Sequence, residues 1–188
     1  WTAVAQPAIV TASRAGLRIL ERMGISAEVA LGHSLGELTA LHWGGAYDET
    51  ALIRIATARG RAMADVAGDS GTMAGLEVAP DQVELLLDGE PVVVSWGNGP
   101  RQVTISGETE AVRRVVARAK ARGVPAVPLK VSHAFHSPLM KPAVPVLGYH
   151  IGSENFDPLQ RRVVSTVKGS VLPAAEPLTA LHCRQMLE

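Results

Sequence analysis

The chain has 188 residues, of which 47% are hydrophobic, enough to bury a substantial core and to argue against disorder. Eighteen basic residues balance eighteen acidic ones and form no block, so no nucleic acid and no anionic membrane surface is expected as a partner. No apolar run is long enough to span a bilayer, no signal-peptide pattern opens the chain, and the single Cys183 cannot form an internal disulfide, so a cytoplasmic location is expected. Trp1 stands where a methionine would begin a full chain and Glu188 closes on helix-like sequence, so the polypeptide reads as a piece of a longer protein.

Residues 7–23 pattern as a first helix, with Pro7 near its start, apolar Ile9, Val10, Leu17, Ile19, Leu20 and Met23 along it, and Gly24 as a stop. A short strand is expected over residues 28–31. It runs into Gly32-His33-Ser34-Leu35-Gly36-Glu37, which places a serine between two glycines, after an apolar run and before a helix-like stretch. Glycines there let a strand turn sharply into a helix with Ser34 exposed at the strained apex. Ser34 is therefore a candidate nucleophile, and the N–H of Leu35, at the positive end of the following helix, is placed to stabilise an oxyanion. The mostly apolar stretch 35–42 reads as a buried helix ended by Gly44 and Gly45, and Asp48 can cap a helix over residues 49–66. A glycine-containing break at 68–71 follows.

The texture then changes. Residues 72–131 read as strand (73–78), helix (80–87), strand (92–96), turn (97–100), strand (102–106), helix (109–122) and strand (126–131). That βαββαβ order predicts an inserted ferredoxin-like unit of two layers. The expected fold class is α/β, with a large subdomain built on a parallel sheet over 1–71 and 132–188, and the smaller unit at 72–131. In the last part, a strand is expected over 163–167 and a final helix from about Leu178.

A serine hydroxyl needs a base at neutral pH, and histidine is the usual one. His42 lies inside the apolar helix, His150 and His182 sit in segments without other chemical features, and His33 neighbours Ser34 but projects differently from the turn. The loop Ser132-His133-Ala134-Phe135-His136-Ser137-Pro138 returns from the inserted unit, and either His133 or His136 satisfies the need for a base. No third cluster of ligand types accompanies these two histidines, so no metal is expected.

Arg59 falls in the middle of the helical stripe made by Leu52, Ile55, Ala56, Met63 and Val66, whereas Arg54 and Arg61 fall on the opposite side. An inward arginine needs an anion. The two readings are a buried ion pair with a carboxylate such as Glu37, and a guanidinium fork that receives a substrate carboxylate.

The succession QPAI (6–9), GHSLGE (32–37), ARGRAM (58–63), NGP (98–100), HAFHSPLM (133–140) and VVSTVKG (163–169) resembles the acyltransferase domain of type I polyketide synthases and the malonyl-CoA:acyl-carrier-protein transacylases of fatty acid synthesis. The stretch GHSLGELTALHWGGA further resembles acyltransferases of iterative, enediyne-type synthases. The resemblance implies an α/β hydrolase-like body with a ferredoxin-like subdomain, Ser34 as nucleophile, His136 as base, Arg59 as the grip on the extender's carboxylate, and Gln185 at the position whose backbone carbonyl orients the histidine. It also implies that His133 and Phe135 bear on extender choice, since the HAFH form marks malonyl-selective members and a YASH form methylmalonyl-selective ones. Malonyl-CoA would be the substrate, with no bound cofactor. The partners would be the phosphopantetheine of an acyl carrier protein, and the ketosynthase and linker of the same synthase. The family's GQG-type motif and its PVRF-like motif lie outside the span 1–188. The rival readings are a serine hydrolase or thioesterase using the same elbow, and a non-catalytic scaffold fragment.

Overall fold

The computed structural model describes residues 1–66 and 71–187, so all of the break expected at 68–71 except Gly71 lies outside the described residues. The chain divides into two compact units. One is formed by Trp1–Asp65 with Ala143–Gln185, and the other by Val66–Pro142 with the chain's last residues from Met186. The mixed α/β character expected from the pattern is present in both.

In the first unit, α1 (Thr2–Arg22) leads to β1 (Val29–Gly32), α2 (Leu35–Trp43) and α3 (Glu49–Ala64). The chain re-enters it with α6 (Ala143–Ile151), β6 (Arg162–Ser165), β7 (Ser170–Val171) and α7 (Leu178–Gln185). Strand β1 pairs parallel with β6, in a register that sets Gly32 opposite Ser165. The short β7 folds back antiparallel on β6, which makes the three-stranded sheet mixed. Helix α1 begins five residues before Pro7, earlier than the proline suggested. Of its residues only Gln6 and Val10 are buried, and Ile9, Ile19, Leu20 and Met23 stay exposed. Helices α1 and α3 approach closely at Gly60, where an added Cβ would meet the Thr2 carbonyl oxygen at 2.8 Å. Asp48 caps α3 by accepting a hydrogen bond from the Ala51 N–H at 2.7 Å, as its position predicted. The core collects Leu38, Leu41, Leu52, Ile55, Met63, Leu147 and Ile151, all essentially inaccessible.

The second unit contains β2 (Thr72–Leu76), α4 (Glu84–Leu87), β3 (Val92–Gly99), β4 (Gln102–Gly107), α5 (Thr109–Ala121) and β5 (Ala126–Pro128). The strands form one antiparallel sheet in the order β3-β4-β2-β5. Helix α5 buries Ala111, Val112, Val115, Val116 and Ala119, a helical-period stripe that packs with Ala74, Leu76, Val103 and Ile105. Several boundaries differ from expectation, and β2 ends at Leu76, short of the expected 78. The helix over 80–87 splits into a 3-10 turn (Pro80–Gln82) and α4, and Asp88 ends it in the left-handed region. The β3–β4 ladder continues to the pair Gly99–Gln102, so the turn shrinks to Pro100-Arg101. Strand β5 is paired as far as Pro128, and one hydrogen bond beyond it, from the Leu129 N–H to the Met73 carbonyl at 2.9 Å, ends the contact with β2.

The histidine loop also falls in this second unit, not with the first as its sequence bounds suggested. Ser106 Oγ donates to the Phe135 carbonyl at 2.7 Å, and Gly71, at φ +77°, leaves room for Ala134 where a Cβ would meet that side chain at 2.8 Å.

Two predictions concern this framework. A Cβ at Gly32 would meet the carbonyl oxygen of Gly36 at 2.2 Å and the Glu37 nitrogen at 2.6 Å, both backbone atoms, whereas a Cβ at Gly36 meets nothing within 4 Å. The turn thus demands only the first of its two glycines. Gly32→Ala should destabilise by about 1–3 kcal/mol in denaturant titration, and Gly36→Ala should be neutral or gain up to about 1 kcal/mol from helix propensity. Equal losses from both would contradict this account of the turn.

The second concerns His182 in α7, which is fully buried beside Tyr47 and Phe156 and whose pKa burial, aided by the Arg59 charge, pulls from 6.5 to about 3. The folded state therefore holds it neutral while the unfolded chain protonates it, so its stabilising contribution is complete above pH 6.5 and is lost as pH falls toward 3. The unfolding free energy of His182→Phe should decline less steeply than that of the parent across this window, and parallel curves would refute the assignment.

Candidate active site

Ser34 is the residue between β1 and α2, with φ 52° and ψ −117°, a conformation that side-chain-bearing residues rarely adopt. It sits just past the carboxyl end of a strand in a parallel pair, the place where open α/β sheets bind ligands. The N–H of Gly36 donates to the His33 carbonyl at 2.9 Å and that of Glu37 to the Ser34 carbonyl at 3.0 Å. The turn thus uses the second and third N–H groups after Ser34, while Leu35, the first, opens the helix.

Arg59 projects from α3 into the interior and is 3% exposed. One terminal nitrogen of its guanidinium, Nη1, donates to Gln6 Oε1 at 2.8 Å, and Nη2 donates to Ser34 Oγ at 3.2 Å. The structure therefore brings together two residues that the sequence separated by a whole helix. Gln6 Nε2 in turn donates to Thr2 Oγ1 at 2.8 Å and lies 3.2 Å from Met63 Sδ, which fixes the amide with its oxygen toward the arginine. The ion-pair alternative with Glu37 takes a different form. Glu37 is fully buried, and its Oε2 accepts a hydrogen bond from Gln185 Nε2. It acts on Arg59 through its charge, which pushes the arginine's pKa up while burial, the larger effect, pulls it down to about 10. Arg59 remains a cation at neutral pH.

Gln185, the last residue of α7, is 1% exposed, and its side chain serves Glu37. The sequence offered no sign of this pairing, whose partners are 148 residues apart. Gln6 was more accessible to inspection: a glutamine four residues before Val10 shares the one buried face of α1, as Arg59 shares the apolar stripe of α3.

His133, Phe135 and His136 belong to the second unit, whereas Ser34, Leu35, Arg59 and Gln185 belong to the first. Their loop is tied at several points. Beyond the Ser106 bond to Phe135, Ser137 Oγ donates to the Ala134 carbonyl at 2.6 Å and accepts from the Leu139 N–H at 3.3 Å. His136 is buried and has φ 55°, a second strained non-glycine residue. His133 is buried, its Nδ1 lies 2.7 Å from Ser132 Oγ, and its ring stacks on that of the half-buried Phe135 with centroids 5.7 Å apart.

The remaining histidines have other duties. His42 Nδ1 lies 2.9 Å from the Tyr47 carbonyl oxygen. The pKa of His33, in the elbow, is lowered by burial and by the charge of Arg59. The thiol of half-buried Cys183 is raised by burial, which disfavours the reactive thiolate. Among the described residues no group of three or more His, Cys, Asp or Glu side chains is arranged to hold a metal, and no helix is long and apolar enough to cross a membrane.

Comparison with known proteins gives this geometry a family. The family profile described as "Acyl transferase domain" matches residues 1–172. The chain is 38% identical to polyketide synthase GfsA of Streptomyces halstedii over 177 residues, which is 93% of this chain and 2% of the synthase. It is 36% identical to the malonyl CoA-acyl carrier protein transacylase of a Synechocystis strain over 175 residues, covering 81% of this chain and 58% of that protein. Among solved structures, the acyltransferase domain of an iterative polyketide synthase in enediyne biosynthesis superposes with a TM-score of 0.92 at 42% identity, over 98% of this chain and 50% of that one. The transacylase of Coxiella burnetii gives a TM-score of 0.93 at 29% identity, over 100% of this chain and 62% of that one. The chain thus spans a small fraction of the synthases and one half to two thirds of the other relatives. With the profile matched along most of its length, the chain belongs to the acyl transferase domain family.

Proposed function

We propose that the protein moves a malonyl extender unit from malonyl-CoA, through an acyl-serine on Ser34, to the phosphopantetheine thiol of an acyl carrier protein. The parent is then an iterative, enediyne-type polyketide synthase that also supplies the ketosynthase and linker. The observation that carries this reading is the buried Arg59 cation on the Ser34 hydroxyl, 3.2 Å from Nη2 to Oγ. A cation so placed suits an acyl group that brings its own carboxylate, and a simple hydrolase elbow gives it no task. The parallel β1–β6 pair ending in the elbow supports an α/β hydrolase-like body, and the strand order β3-β4-β2-β5 supports a ferredoxin-like second unit.

In the proposed cycle His136 takes the proton from Ser34 Oγ as the oxygen attacks the thioester carbonyl. The Leu35 N–H stabilises the resulting oxyanion, and the carbon–sulfur bond breaks as His136 returns the proton to the departing coenzyme A thiol. The carrier's thiol then attacks the acyl-serine by the reverse route. Arg59 holds the malonyl carboxylate so that the short acyl group stays oriented for transfer and not for hydrolysis. The assignment of His136 rests on the HAFHSPLM motif, and the backbone carbonyl of Gln185 is assigned to orient it. Phe135 fills the space that an α-methyl group would occupy.

Loading from malonyl-CoA and acetyl-CoA should separate these roles. Ser34→Ala should abolish both with little change in thermal unfolding, and His136→Ala should slow loading far more than His133→Ala. Arg59→Ala should lose malonyl transfer while keeping or gaining acetyl transfer, and an equal fall in both would make the arginine structural.

Extender choice provides a further prediction. In competition between malonyl-CoA and methylmalonyl-CoA the parent should favour malonyl by about 1–3 kcal/mol, the usual worth of one methyl group in a pocket. Phe135→Ser should admit methylmalonyl and slow malonyl transfer. An unchanged ratio would remove Phe135 from the pocket.

A further inference from the structure

Within the first unit the partners of Arg59 are all neutral. Its guanidinium touches the amide oxygen of Gln6 and the hydroxyl of Ser34, its Nε is buried without a hydrogen-bond partner, and no carboxylate of the described residues lies within ion-pair distance. A buried cation in such surroundings needs a counter-charge. Glu37, three residues beyond Ser34 in the first turn of α2, is fully buried, and its charge acts on Arg59. One of its carboxylate oxygens accepts from Gln185 Nε2, and the other is buried without a hydrogen-bond partner. Tyr47, also buried, donates its hydroxyl to the Leu38 carbonyl of the same helix, so it leaves that carboxylate oxygen unserved.

We infer that Glu37 is a specificity-determining residue that acts at a distance: its carboxylate balances Arg59 when the site is empty and competes electrostatically with the carboxylate of a bound acyl group. This rests on the reading of Arg59 as the acyl carboxylate's partner. The positive end of α2 and Arg59 both bear on Ser34, and without Glu37 their combined field would bind a carboxylated acyl group more tightly than turnover needs. Tethering Glu37 to Gln185 keeps it off the guanidinium, so the fork stays open to substrate. A carboxylate in direct bidentate contact with Arg59 would close it.

The test is the steady-state KM and kcat of the whole protein for malonyl-CoA and for acetyl-CoA in Glu37→Gln, which keeps the volume and an oxygen for Gln185 but removes the charge. KM for malonyl-CoA should fall roughly three- to tenfold with KM for acetyl-CoA unchanged, so that the malonyl preference rises. Glu37→Asp, which keeps the charge but withdraws it by one methylene, should shift the preference in the same direction by less, and provides the measurement if the glutamine variant does not fold. A rise in KM for malonyl-CoA, or equal changes for the two esters, would overturn the inference, since a purely structural residue disturbs both alike. Arg59→Ala distinguishes the underlying reading. If that variant keeps its malonyl preference, the carboxylate-grip reading itself fails. If it loses the preference while Glu37→Gln treats both esters alike, only the role of Glu37 fails.

Discussion

A cation removed from water organises the first unit of this molecule. Arg59 loses nearly all of its hydration, and that burial pulls its pKa down to about 10 against the opposing charge of Glu37. Several otherwise unrelated features then acquire a cause. Gln6 is buried on α1 because its amide oxygen serves the guanidinium, and Gly60 lets α1 approach α3 closely enough for that contact. Glu37 is buried where its charge opposes the desolvation, and it is held there by Gln185 from the far end of the chain. The open end of the fork lies on Ser34. Stability alone would favour an apolar residue at position 59, and the proposed grip on an acyl carboxylate gives that cost a reason.

Strain is the second recurring element. Ser34 and His136 both have positive φ without being glycine, a conformation that costs on the order of 1–3 kcal/mol each and persists only where neighbours over-determine it. At Ser34 the constraint is the contact of Gly32 with the Gly36 and Glu37 backbone. At His136 it is the pair of serine hydroxyls from Ser106 and Ser137 that hold the two preceding carbonyls, those of Phe135 and Ala134. Two such residues, in the two motifs to which the proposed mechanism assigns nucleophile and base, fit a protein that fixes reactive side chains before substrate arrives.

Much of this is legible in the periodicity of the sequence. The alternation of strands and helices over 72–131 anticipated the element order of the second unit, because each element there buries one face with a regular period. The same reasoning singled out Arg59, since a charge on an apolar stripe contradicts its surroundings. Four features escaped it. The start of α1 was hidden by Pro7, a residue that ordinarily marks a first turn. Helix α6 contains Pro145 in its first turn, and the proline obscures the helical pattern there. The Glu37–Gln185 bond joins positions that no local pattern connects, and the burial of His182 depends on aromatic neighbours from two distant segments, Tyr47 and Phe156. Local rules report on faces and caps, whereas polar pairings of long sequence separation depend on the assembled fold.

The acyl-serine is the point on which the functional account turns. Incubation of the protein with malonyl-CoA, followed by intact-mass measurement and peptide mapping, tests it most directly. The account predicts one malonyl group on the peptide containing Ser34, stable until a carrier-protein thiol is added and then transferred to it. Free malonate accumulating without an adduct, or an adduct on any other residue, would contradict it.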